Sequence, residues 1–113
     1  MRRDDSVYLR HVLDAILRIE EYTQGTARED FLHSHLRQDA AIRQIEVIGE
    51  AVKKLSSEMK TGHPEIPWKD VAGMRDKLIH DYFGVDLDAV WDTVDKDIPQ
   101  LKGKIRAIIE TEE

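Results

Sequence analysis

Two apolar seams constrain this chain more than anything else in it. Ala41, Ile45, Ile48, Val52, Leu55 and Met59 step by 4, 3, 4, 3 and 4 residues, and Leu87, Trp91, Val94, Ile98, Leu101, Ile105 and Ile108 repeat that rhythm. This period gathers each set onto one face of a helix, and such a face has to be covered by another helix. A third set, Leu9, Val12, Leu13, Ile16, Ile19 and Tyr22, recurs at helical spacing as well. No stretch alternates as a half-buried strand would. The chain reads as all-α.

Breakers and caps set the lengths. Ser6 can cap a first helix that runs to about Tyr22 and stops at Gln24-Gly25. Thr26-Ala27-Arg28-Glu29 fits a capping box that opens a short helical piece around Asp30–Leu32. A long helix follows from about Leu36 to Lys60, apolar on a second side through Ala40, Val47 and Ala51. Such a helix is central, packed between neighbours or at a subunit contact. Gly49 inside it costs about 1 kcal/mol against Ala, which makes sense where another helix comes close. Gly62, Pro64 and Pro67 break the chain into a loop. Pro67 then opens a helix from about Trp68 to Tyr82, with Gly84 as its stop. Asp86 can cap the last segment, whose seam keeps its phase through Pro99. Pro99 should clash with the carbonyl of Asp95. The expectation is an up-and-down bundle of four main helices plus a short helix, the last kinked near Pro99, in one domain over residues 1–113.

A chain of 113 residues can bury one real core. It has no cysteine, which excludes disulfides and thiolate metal sites. No apolar run approaches membrane-spanning length, and Met1-Arg2-Arg3-Asp4-Asp5 lacks a signal core. A cytoplasmic location follows as an expectation. The net charge of −6 argues against a broad nucleic-acid-binding surface, so any polyanion site must be local. Residues 84–113 carry a net −4 of that charge and could serve a basic partner.

Several chemistries lack their parts. A di-metal site in a bundle needs Glu-x-x-His pairs on two helices, and none occurs. His33 and His35 stand two apart, and His11 and His63 stand alone. There is no Gly-x-Ser-x-Gly and no glycine-rich phosphate loop. No metal and no cofactor is expected. The line Asp39, Arg43, Glu46, Glu50 reads as a solvated face with i, i+3 and i, i+4 pairing; alternatively, Asp39 or Arg43 reaches toward Arg75.

Arg75 and His80 remain. On a continuous helix Arg75 falls in the middle of an apolar face made by Val71, Met74, Leu78, Ile79, Tyr82 and Phe83. A guanidinium there needs a carboxylate, a carbonyl or a ligand. Histidine titrates near neutrality and can take or give a proton, while a guanidinium forks onto phosphate oxygens. Together they suit attack of a ribose 2′-hydroxyl on the adjacent phosphate, which needs no metal. On one helix the two side chains stand roughly 140° apart. A two-fold dimer would relieve this by facing Arg75 of one protomer with His80 of the other.

Arg75-Asp76-Lys77-Leu78-Ile79-His80-Asp81-Tyr82 resembles the Arg-x4-His-x-Tyr motif of HepT-like toxins of the HEPN superfamily. The flanks are similar too: Ala41 to Ala51, His63 to Trp68, Gly73-Met74, Tyr82 to Leu87, and Val90-Trp91. The resemblance spans about Leu9 to Leu101. It implies a helical homodimer with its cleft at the interface and metal-independent endoribonuclease activity, with Arg75 and His80 as the catalytic pair. Asp76 holds the assisting position, where many relatives carry Asn. Asp39 and Arg43 would support the cleft. The resemblance also implies an MNT-type nucleotidyltransferase as antitoxin partner, an RNA substrate (tRNA or mRNA), and Tyr82 as a site of adenylylation, which would block RNA by bulk and charge. Two readings stand beside it. One is a non-catalytic helical module that binds a nucleotidyltransferase and a nucleotide. The other makes Arg75 structural, paired with Asp39 or Glu46.

Overall fold

The computed structural model describes residues 1–80 and 84–112. Three helices carry most of the described length: α1 (Arg3–Thr23), α3 (His35–Lys53) and α8 (Ile98–Glu112). Shorter pieces join them: α2 (Arg28–Leu32), α4 (Ser57–Gly62), α5 (Trp68–Ala72), α6 (Met74–Leu78) and α7 (Leu87–Asp92). Strands β1 (Ile79–His80) and β2 (Gly84–Val85) pair antiparallel, Ile79 with Val85 and His80 with Gly84. No helix among the described residues is long and apolar enough to cross a membrane. The fold class is mostly helical, in agreement with the all-α expectation.

The seams read from the sequence are the core. From α1, Leu9, Val12, Ile16 and Ile19 are buried; from α3, Ala41, Ile45, Ile48 and Val52; from α8, Ile98, Leu101, Ile105 and Ile108. Each aliphatic side chain of this kind stabilises the fold by about 1.5–3 kcal/mol relative to an exposed one. Phe31 of α2 is fully buried and lies 5.4 Å, ring to ring, from Trp91 of α7. Gln38 of α3 donates to the Phe31 carbonyl at 3.0 Å. A five-residue helix that could not stand alone is thereby held against two others.

The punctuation differs from expectation in five places. α1 starts at Arg3, so Ser6 lies inside it rather than capping it. α2 is led by Ala27 with no side-chain cap, so the Thr26–Glu29 capping box does not form. The helix expected over 36–60 stops at Lys53, and α4 restarts after Ser56, whose hydroxyl accepts from Met59 N–H at 3.1 Å. Leu55 and Met59 stay buried across that break, so the seam continues although the helix does not. The cause lies on α1. Asp5, only 3% exposed, accepts from Ser56 N–H at 2.8 Å and from the Ser56 hydroxyl at 2.7 Å. This buried carboxylate holds Ser56 in the cap position, where a serine hydroxyl competes well with helix continuation.

Near Pro99 the interruption is a π turn over residues Thr93–Asp97, with Ile98 N–H reaching back to Thr93 O. Widening the turn ahead of a proline gives room for the ring, and such turns commonly mark an otherwise unbroken helix. Helical backbone therefore runs without a gap from Leu87 to Glu112. Asp86 does cap it, accepting from Ala89 N–H at 3.0 Å.

The fifth difference concerns the segment 68–82. It is not one helix. Gly73 ends α5 and precedes α6, and α6 ends at Leu78, where Ile79 turns to an extended backbone (φ −117°, ψ 120°). The expected fourth main helix is thus two five-residue pieces followed by a strand. Gly49 lies where the end of α5 packs on α3. A Cβ on Gly49 would stand 3.0 Å from the carbonyl oxygen of Ala72. The close approach expected at Gly49 exists, and what approaches is the C-terminal end of α5.

Candidate functional site

The break at Gly73 decides where Arg75 goes. A wheel drawn through 68–82 buries it. The observed α6 is a separate turn and a half set against α3, and Arg75 projects to the surface with 45% of its side chain exposed. It faces a polar pocket of about 320 Å³ whose other walls are Glu46, Gly49, Glu50 and Lys53 of α3, with Ala72 and Asp76. The absence of a side chain at Gly49 lets α5 and α6 sit this close to α3.

Arg75 Nε lies 3.9 Å from Glu46 Oε1, and Arg75 Nη1 lies 3.5 Å from Asp76 Oδ1. Both contacts are long for charge-assisted hydrogen bonds, and neither is a two-point fork. Exposed pairs of this kind stabilise by about 0–1 kcal/mol. Lys53 pairs with Glu50 at 3.5 Å in the same pocket. Three carboxylates thus face two cations, a formal net charge of −1. A phosphate approaching Arg75 would have to displace a carboxylate, and the weakness of the pairs makes that displacement inexpensive.

The expected site residues fall out as follows. Arg75 and Asp76 are together. Asp39 and Arg43 are exposed on α3, N-terminal to Glu46, and do not line the pocket. Their place is taken by Glu46, Glu50 and Lys53, further along the same helix face. His80 lies in β1, opposite Gly84, with only its backbone described. The helical angle of about 140° between Arg75 and His80 therefore does not apply, because the chain changes from helix to strand between them. Tyr82 lies outside the described residues. Among the described residues no group of three or more His, Cys, Asp or Glu side chains could hold a metal ion.

A family model described as Ribonuclease HepT-like matches residues 12–108. The chain belongs to the HepT-like ribonuclease family. A protein of Thermococcus cleftensis named as a probable ribonuclease HepT is 50% identical over 108 residues, covering 96% of this chain and 98% of its own. A protein of Methanocaldococcus jannaschii, whose name joins a gamma-glutamylcyclotransferase to a provisionally assigned RNase, is 52% identical over 110 residues. That match covers 97% of this chain but 50% of the relative, so this chain spans half of that protein's length. A third relative, from Caldanaerobacter subterraneus subsp. tengcongensis and provisionally named an RNase, is 43% identical over 105 residues, 93% of this chain and 94% of its own. No solved structure matches the chain. The HepT-like match contains Arg75, the pocket that it faces, and both strands of the β1–β2 ladder.

Proposed function

We propose that the chain is the toxin of a toxin–antitoxin pair and a metal-independent endoribonuclease. The observation that carries this reading is the state of Arg75. In a family of ribonucleases, it is a partly exposed guanidinium that, among the described residues, is held by two long contacts, which leaves it open to a phosphodiester.

The reaction follows from the groups available. Arg75 binds the scissile phosphate and stabilises the charge that builds on its oxygens. His80 takes the proton from the ribose 2′-hydroxyl. The 2′-oxygen forms a bond to phosphorus, and the bond from phosphorus to the 5′-oxygen breaks. A protonated imidazole returns a proton to the departing 5′-oxygen, and a cyclic 2′,3′-phosphate remains. The nucleophile belongs to the substrate, so the step requires neither a metal-bound water nor a covalent enzyme intermediate. Asp76 assists by orienting Arg75.

In this reading the chain acts as one domain over residues 1–113 in a cytoplasmic homodimer whose two-fold contact brings the Arg75 and His80 of opposite protomers to one cleft. An MNT-type nucleotidyltransferase is its antitoxin, and Tyr82 is the acceptor of adenylylation. RNA, as tRNA or mRNA, is the substrate. One observation favours the rival reading of a non-cutting module that binds a nucleotidyltransferase: the pocket around Arg75 carries more negative than positive charge.

Cleavage of total tRNA with and without chelator separates the two. Chelator-resistant cleavage, abolished by His80→Ala with melting unchanged, supports the nuclease. Absence of cleavage by the unmodified chain supports the module. Intact mass after co-expression with the nucleotidyltransferase tests Tyr82: an increase of one AMP, accompanied by loss of cleavage, is expected.

A further inference from the structure

α6 has two flanks. Arg75 and Asp76 face the polar pocket against α3. Met74, Lys77 and Leu78 face the other way, into a second cavity of about 470 Å³ between α5–α6 and the helical run from α7 to α8. The deep walls of this cavity are Val71, Leu78, Ile98 and Leu101, each 8% exposed or less. The volume lies in the range of small-molecule sites. A surface made for another protein would present its apolar side chains outward, whereas these are sunk.

The rim is charged, and most of its charges have a partner, although its two ion pairs are as long and as exposed as those of Arg75. Asp70 pairs with Lys77 at 3.5 Å, Asp92 pairs with Lys96 at 3.8 Å, and Lys104 donates to the Glu65 carbonyl at 3.0 Å. Asp97 differs. Among the described residues it has neither a hydrogen bond nor an ion pair. The cavity therefore offers an apolar slot with one uncommitted carboxylate at its mouth. A flat apolar ring bearing an amino group at its edge has that shape and polarity.

We propose that this cavity seats one amino-bearing nucleobase (adenine, cytosine or guanine, in preference to uracil) of the RNA strand whose phosphate lies on Arg75. The proposal rests on the RNA reading given above. Met74 and Arg75 are consecutive on α6 but face opposite flanks, so the base seat and the phosphate site lie on the two sides of one short helix and the strand has to pass around it. Unstacked bases of single-stranded RNA are the usual targets of such seats. A carboxylate accepts from an exocyclic amine, as it does from N4 of cytosine. It repels O4 of uracil, which is itself an acceptor.

The test uses the full chain with methyl-labelled Ile and Leu, titrated with 2′-O-methyl hexamers of A, C or U. These cannot be cut, because the attacking hydroxyl is capped. Shifts of the Ile98 and Leu101 methyls are expected with the A and C hexamers, binding at least fivefold tighter than U. Asp97→Asn, at an exposed position, should erase that preference, because an amide offers both a donor and an acceptor. Ala89→Leu, which fills the cavity from α7, should weaken the A and C hexamers about tenfold with melting unchanged. Free adenosine and cytidine should bind at least tenfold more weakly than the hexamers; equal binding would make the site a free-nucleotide pocket and overturn the proposal. Equal affinity for U, or no shift of either methyl, would overturn it as well. The arms separate the two readings. Binding of the C hexamer in the cavity without cleavage of ordinary RNA keeps the seat and removes the nuclease. Cleavage without methyl shifts keeps the nuclease and removes the seat.

Discussion

Gly49→Ala is the sharpest perturbation of the framework that carries Arg75. In an ordinary helix interior this change stabilises by about 1 kcal/mol. Here the new Cβ would stand 3.0 Å from the Ala72 carbonyl oxygen, a backbone atom that cannot swing away. Relieving such an overpacked contact costs about 1–3 kcal/mol. The net expectation is a loss of about 1 kcal/mol, or about 4 °C of Tm for a chain of this length. The control is Gly103→Ala in α8, where a Cβ would meet nothing within 4 Å. That variant should gain about 1 kcal/mol. The gap between the two, about 2 kcal/mol or about 8 °C, isolates the contact between α3 and α5. Thermal melting of both variants by circular dichroism measures it. If Gly49→Ala stabilises as much as Gly103→Ala does, the close approach is not there, and the account of why Arg75 reaches the surface falls with it.

Four further outcomes are expected. Asp5→Ala removes two hydrogen bonds to Ser56 from a buried carboxylate and should cost about 2–3 kcal/mol in denaturant unfolding, with Asp5→Asn costing less. Arg75→Lys should leave the unfolding free energy within about 1 kcal/mol, since only exposed pairs are lost, yet reduce RNA cleavage roughly a hundredfold, because an ammonium cannot fork onto phosphate. Glu46→Gln removes one of the three carboxylates around Arg75 and should lower KM for RNA by about two- to fivefold with stability unchanged; a raised KM would refute the competition between Glu46 and phosphate. Glu65 should titrate below the ordinary carboxylate range in an NMR pH series, chiefly through a backbone hydrogen bond and then through His63 at 3.1 Å; its small stabilising effect is present above the unfolded-state pKa and is lost as pH falls through the lowered one.

The sequence declared its buried faces well and its breaks poorly. Every residue of the seam from Ala41 to Met59 is buried, because apolar period depends only on which side faces the core. The break at Lys54–Ser56 was hidden because the cause, Asp5, lies far away in sequence and looks like part of a charged terminus. The stretch after Gly73 misled for a related reason. Val71, Met74, Leu78 and Ile79 fit one helical face on paper, but α5 ends at Ala72, where it packs on Gly49, and local propensity yields to tertiary context. At the site, Arg75 and Asp76 were legible as a motif. Glu46 was legible as a member of a charged line and as a candidate partner of Arg75, from which it stands 3.9 Å, while Lys53 and Glu50 gained meaning once α6 was set against α3. Asp97, unpartnered among the described residues, had no signal at all, since nothing in a sequence marks an acid that lacks a cation.

The contact between Asp5 and Ser56 has a consequence during synthesis. The two residues are 51 positions apart. At typical elongation rates of 5–20 residues per second, Asp5 waits roughly 3–10 s for its partner to be made. Until then the first turn of α1 has a carboxylate bound for the interior and nothing to receive it. A nascent chain that has not reached Ser56 cannot close this end of the molecule, and a ribosome stalled in that interval would expose the apolar stripe of α1 for as long as it stays there.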